Sequence, residues 1–351
     1  MESIKEYLSY FKDVTFEESP FNDVDNVILS SLIYLDLRKV ATKPMTLHQL
    51  GKKFYNQVDM KEVKKGLIVA RRTADNFEYI FNGDRYKNII VSDYENILDD
   101  EKQFAAIKFT HDTFTYIAYE GTDESLIGWI EDFQMTYQFP IPSQTMAIKY
   151  INKTVKFKDK NVYVGGHSKG GNLAITASMY ARPFIRRRIK KVFNNDGPGF
   201  LEEQLNSHAY KAILPKIVTY IPEESIIGVM FGNLSETKVI KSNGRGIFQH
   251  NLNNWNCYGP LLIKGTLNEN SKMLKKRIDQ WLKKHDKEKR EQMVKTLFDI
   301  FNQSGITSLK QIRQFKLSSI VRLIRTSQTI DKDSKELIID AIKTILIKED
   351  I

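Results

Sequence analysis

Over the first hundred positions, apolar residues recur with a helical period. Val27, Ile28, Leu29, Leu32, Ile33 and Leu35 share one helical face, directly after the capping residues of Phe21-Asn22-Asp23-Val24. The spacing predicts a second helix over 46–54 and a third over 60–71. After residue 101 the pattern turns β-rich: residues 104–110 and 114–119 form two runs joined by His111-Asp112, which reads as a hairpin. Helix and strand signals then alternate. A helix follows Pro142-Ser143, with Ala147, Ile148, Ile151 and Val155 on one face. A short buried strand at Val162-Tyr163-Val164 leads into a helix of small residues over 172–182, and strands follow at Val192-Phe193, 217–221 and 237–240. Such alternation predicts an α/β fold, a mostly parallel sheet flanked by helices. From 266 the strand signal stops. Residues 273–284, 291–302, 308–326 and 335–347 read as amphipathic helices, broken at Ser304-Gly305 and Asp331-Lys332-Asp333. The expected organisation is a helical N-terminal flank or cap (1–100), an α/β core (101–265) and an all-helical C-terminal appendage (266–351).

Composition adds boundaries. The chain has 351 residues, 41% hydrophobic and 27% charged, the balance of a globular protein. Its one cysteine, Cys257, rules out an intrachain disulfide and a cysteine-based metal site. Met1-Glu2-Ser3-Ile4-Lys5-Glu6-Tyr7 lacks the pattern of a signal peptide, and no apolar run approaches a membrane span, so a cytoplasmic location is expected. The net charge is +10, with clusters at Arg186-Arg187-Arg188-Ile189-Lys190-Lys191 and from Lys283 to Arg290. These read as solvated helix faces without interleaved aromatics. A nucleic-acid partner is therefore not expected, while peripheral membrane contact stays open.

Chemistry concentrates in Val162-Tyr163-Val164-Gly165-Gly166-His167-Ser168-Lys169-Gly170-Gly171-Asn172-Leu173-Ala174. This is G-x-S-x-G between an apolar strand and a small-residue helix. Gly166 and Gly170 let strand and helix approach closely, and Ser168 is left on a strained turn at the positive end of a helix dipole. A phosphate-binding turn fits less well, because its lysine follows the last glycine whereas Lys169 precedes Gly170.

A nucleophilic serine needs a base. Of His48, His111, His167, His208, His250 and His285, His250 fits best: it lies in a turn-rich loop after the strand at 237–240, and the base of this arrangement follows the last core strand. His167 is expected to pack under the turn. The acid should stand at a strand end between Ser168 and His250. Asp196 is favoured, in Asn194-Asn195-Asp196-Gly197-Pro198-Gly199, with Glu224 or Glu223 as the alternative. The amide and hydroxyl of Thr122, in Tyr119-Glu120-Gly121-Thr122, and the backbone amide of Lys169 are the candidate oxyanion donors. Residues 133–142, with Met135, Tyr137, Phe139 and Ile141, read as a lid, a pocket wall or core.

These stretches resemble the fungal-type triacylglycerol lipases, in which an aromatic-x-Gly-Ser/Thr segment is followed by Trp-x-x-Asp, here Trp129-Ile130-Glu131-Asp132. A closer resemblance is to an uncharacterised bacterial family of the α/β-hydrolase superfamily, carried by Pro20-Phe21-Asn22-Asp23-Val24-Asp25, Gly166 to Ala174, Asp196-Gly197-Pro198-Gly199-Phe200, and Gln249-His250 with Trp255. The resemblance implies the fold and a hydrolytic reaction class, and no substrate. Ser168, His250 and Asp196 themselves read as the triad of a serine ester hydrolase acting on a small-molecule ester or lipid, with no metal or organic cofactor. The alternative is a hydrolase fold used as a binding or scaffold protein. One departure stands out: where the lipases place their acid, this chain has Ser225 in Ser225-Ile226-Ile227-Gly228.

Overall fold

The computed structural model describes residues 2–123, 125–303, 324 and 330–346. The strands among the described residues are β1 (Glu2–Ser3), β2 (Met45–Thr46), β3 (Ile90–Leu98), β4 (Gln103–Thr110), β5 (Thr115–Tyr119), β6 (Val162–His167), β7 (Ile189–Asn195), β8 (Ile217–Pro222), β9 (Glu236–Ile240), β10 (Asn256–Tyr258) and β11 (Leu261–Leu262). β2 to β9 form one sheet in sequence order. β2 to β5 pair antiparallel, and β5 to β9 pair parallel. The α/β expectation is met, and the 104–119 hairpin is β4–β5.

The sheet starts earlier than the hydrophobic pattern predicts, because β3 lies within the expected helical flank. Its register with β4 slips between Ser92 and Glu95, where Asp93 has φ +53°. A bulge of this kind breaks the alternation that marks a strand. The third expected helix is two helices, Met60–Val63 and Ile68–Asn82. Gly66, a poor helix residue, lies in the break.

Two apolar cores cover the sheet. The first joins it to the N-terminal helices, among them Asp23–Leu32. Pro142–Thr154 and Lys169–Met179 contribute to the second. A third cluster lies at Leu126–Gln134, the helix after β5, and takes in residues of the C-terminal helices Glu269–Lys284, Lys287–Gln303 and Lys332–Leu346. The helix expected over 308–326 lies outside the described residues, Ile324 apart. Met135, Tyr137 and Ile141 are buried and belong to the core, not to a lid.

Candidate active site

The elements converge at the carboxyl ends of β5, β6 and β7. β6 ends at His167 and the next helix begins at Lys169, leaving Ser168 as the single junction residue at φ +57°, ψ −133°. A non-glycine residue is rarely held there. The neighbouring glycines make the turn possible. A Cβ on Gly166 would stand 2.3 Å from the Gly170 carbonyl oxygen, and one on Gly170 would stand 2.2 Å from that of Tyr119.

β7 runs directly into Asp196, also left-handed at φ +52°. Its amide donates to the Tyr220 carbonyl at 2.7 Å. The buried carboxylate is fully engaged: Oδ1 accepts from the Ser225 hydroxyl at 2.5 Å and the Gly228 amide at 3.1 Å, and Oδ2 lies 2.6 Å from His250 Nδ1. The acid alternatives do different work. Glu224 accepts from the Gly246 amide, and its own amide donates to Gln249 Oε1 at 2.9 Å, so it braces the loop that carries His250. Glu223 accepts from the Thr266 amide at 3.0 Å. Among the described residues, Asp196 is the carboxylate that meets the His250 ring. Ser225, at the position where the lipases hold their acid, now supports Asp196.

The β5 end packs against the serine. A Cβ on Gly121 would lie 2.9 Å from that of Ser168, so the 121–122 backbone borders Ser168. The Thr122 hydroxyl, expected to face the oxyanion, instead donates to Asp132 at 2.6 Å, which leaves the Thr122 amide as that residue's candidate donor. Enclosure pushes Asp132 up to about 6, against the opposing pull of Lys169 and of that hydrogen bond.

Several residues in this cluster carry no signal in the sequence. The Lys169 ammonium is fully buried, paired with Glu131 at 2.9 Å and bonded to Gln103 Oε1 at 2.8 Å. Glu131 also accepts from the amides of Ser143 and Gln103. Glu120 accepts from Gln103 Nε2 at 3.1 Å and is pushed up to about 8, by burial first and then by Asp123. Tyr34, from the N-terminal flank, accepts from the Gly121 amide at 3.1 Å and lies 2.8 Å from His167 Nδ1. The buried His167 ring packs beneath the turn.

Residues 80–299 match a known family. The chain belongs to the Mbeg1-like family. The matched region is most of the chain and contains Ser168, Asp196, His250 and Thr122. The Mbeg1-like family is a lipase-like family. No curated protein matches the chain. Among the described residues, no helix is long and apolar enough to cross a membrane.

Proposed function

We propose that this Mbeg1-like protein is a serine hydrolase of the α/β-hydrolase type that cleaves an ester or other acyl bond. The observation that carries the reading is the Asp196–His250 pair at 2.6 Å, with the His250 ring 4.3 Å between centroids from that of His167, the residue before a serine held at positive φ on a strand-to-helix turn. In this mechanism Ser168 Oγ attacks the carbonyl carbon and His250 Nε2 takes its proton. Asp196 holds the ring with Nδ1–H inward and stabilises the imidazolium. The negative oxygen is held by the amides of Thr122 and Lys169. Collapse expels the alcohol, which receives the proton from His250, and leaves an acyl-enzyme. Water, activated by the same histidine, then releases the acid and restores Ser168.

A fluorophosphonate probe tests this. The expected result is one covalent adduct on Ser168, absent from Ser168→Ala. A folded protein that takes up no probe would instead support the second reading, a hydrolase fold that serves as a binding or scaffold protein.

A further inference from the structure

Three segments carry the net positive charge of this chain. Residues 153–160, 182–191 and 211–216 contain twelve Lys and Arg and one Asp, net +11. The whole chain is +10, so everything outside these three segments sums to −1. The fold gathers the three at one edge. Arg188 donates to the Phe157 carbonyl at 3.3 Å, and Lys216 donates to the Arg186 carbonyl at 2.7 Å. The lone acid, Asp159, is buried and paired with Lys108. Of the twelve basic residues, among the described residues only Lys153 and Lys191 meet a carboxylate, Glu95 and Asp23. Like charges crowd one another: the Lys216 ammonium is held below the usual lysine range by burial first, then by Lys190 and Arg186.

An aromatic pair sits among these cations. Phe157 is 72% exposed and stacks on Phe184 at 4.3 Å between ring centroids, with the Arg188 guanidinium 5.5 Å from the Phe157 ring. The sequence alone hides this arrangement, because Phe157 enters the cluster from a different segment. Residues 183–188 form a short helix, whereas Lys190 and Lys191 open β7. The cluster is therefore not one solvated helix face.

We propose that this edge is a docking surface for an anionic phospholipid bilayer, with the Phe157 ring entering the headgroup layer and the surrounding Arg and Lys side chains paired with lipid phosphates. An exposed phenyl ring within a cluster of cations is the chemistry of an interfacial anchor. Nucleic-acid binders add amides, which read adenine, and hydroxyls, which contact phosphate, to their Arg and Lys. These three segments contain no Asn or Gln, and their one hydroxyl, on Thr154, is buried and donates to the Tyr150 carbonyl. The surface lies at the amino ends of β6, β7 and β8, whereas Ser168 lies at the carboxyl end of β6. A strand of six residues separates them by roughly 20 Å. Docking thus turns the serine away from the membrane that holds the protein, and it stands independently of the proposed hydrolysis.

Flotation of the full chain with phosphatidylcholine vesicles, and with equimolar phosphatidylcholine and phosphatidylglycerol, tests the proposal. Binding is expected only to the anionic vesicles, and it should weaken as salt shortens the screening length. Exchanging the exposed Lys158, Arg187 and Lys190 for Glu together should reduce affinity at least about tenfold, with an unchanged melting curve. Should that triple variant misfold, Lys158→Gln with Arg187→Gln should still weaken binding severalfold. Phe157→Ala should weaken binding at constant charge, and Ser168→Ala should bind as the natural chain does. The proposal is overturned by equal binding to both vesicle types, by charge variants that bind normally, by loss of binding in Ser168→Ala, or by a short DNA duplex that displaces the vesicles.

Discussion

His167 Nε2 lies 2.7 Å from the backbone carbonyl oxygen of His250. A carbonyl only accepts, so this nitrogen carries a proton. Burial first, and His250 second, hold the His167 pKa well below its ordinary value. The ring is therefore neutral, and Nδ1 must accept from the Tyr34 hydroxyl. Tyr34 in turn accepts from the Gly121 amide. The Tyr34 hydroxyl also reaches the His167 carbonyl oxygen at 3.3 Å, so Tyr34 and His167 together join the Gly121 loop, the Ser168 turn and the backbone at His250.

Tyr34→Phe removes the central oxygen and leaves a buried amide and a buried imidazole nitrogen without their partner. The expected stability loss is about 1–3 kcal/mol. If Tyr34 positions the site, kcat should also fall about 10- to 100-fold with little change in KM, as small misplacements of reacting groups do. Nitrogen NMR of His167 should show the Nε2–H tautomer in the natural protein and a shifted Nδ1 signal in the variant. Lower stability with an unchanged kcat would limit Tyr34 to packing.

Asp196 and Glu224 separate cleanly by substitution. Asp196→Asn places an amide against His250 Nδ1 and favours the wrong tautomer, so kcat should drop about 10⁴-fold. Glu224→Gln keeps an acceptor near the Gly246 amide and should leave kcat within a few-fold. Steady-state kinetics on a small p-nitrophenyl ester decides. The opposite ranking would transfer the acid role to Glu224.

The turn around Ser168 was legible because it is local: five consecutive residues and their flanking elements specify it. Asp196 and His250 are legible as strand-end and post-strand residues, although only the fold shows that the Asp196 carboxylate meets the His250 ring while that of Glu224 meets the Gly246 amide. Tyr34 lay beyond reach. It stands 133 positions from His167, within a helical flank whose pattern reports only burial. The Lys169–Glu131 pair was hidden for a related reason, since a lysine beside a nucleophile gives no sign that its ammonium is buried. β3 was lost to its bulge, which spoils the period that strand recognition rests on.

Glu120 sets a pH dependence of stability. Its carboxyl is raised from 4.5 to about 8 in the folded protein, so between these values the folded state holds a proton that the unfolded state has released. Stability should therefore fall as pH rises through this window, by up to about 1.4 kcal/mol per unit from this group. Glu120→Gln stays neutral throughout. It should match the natural protein below pH 4.5 and exceed it in melting temperature at pH 8. Parallel melting curves for the two proteins across the window would remove Glu120 as the cause.

The helix Leu126–Gln134 links the C-terminal appendage to the site. Leu126, Trp129, Ile130 and Phe133 recur at helical spacing and belong to the cluster formed with Trp281, Val294, Leu297 and Phe298, and Phe133 meets Phe298 edge-on at 5.8 Å. Glu131 and Asp132 of the same helix hold Lys169 and the Thr122 hydroxyl. A chain ending near residue 265 should therefore expose this apolar stripe and release the helix that orients Thr122. Such a chain is expected to aggregate or to lose its cooperative melt, and any soluble fraction should have reduced kcat. In the full chain, Phe298→Ala should cost about 3–5 kcal/mol, seen as a lower melting temperature. A shortened chain that stays monomeric, melts cooperatively and keeps its kcat would instead make the C-terminal helices a separable module, their apolar faces free for a partner.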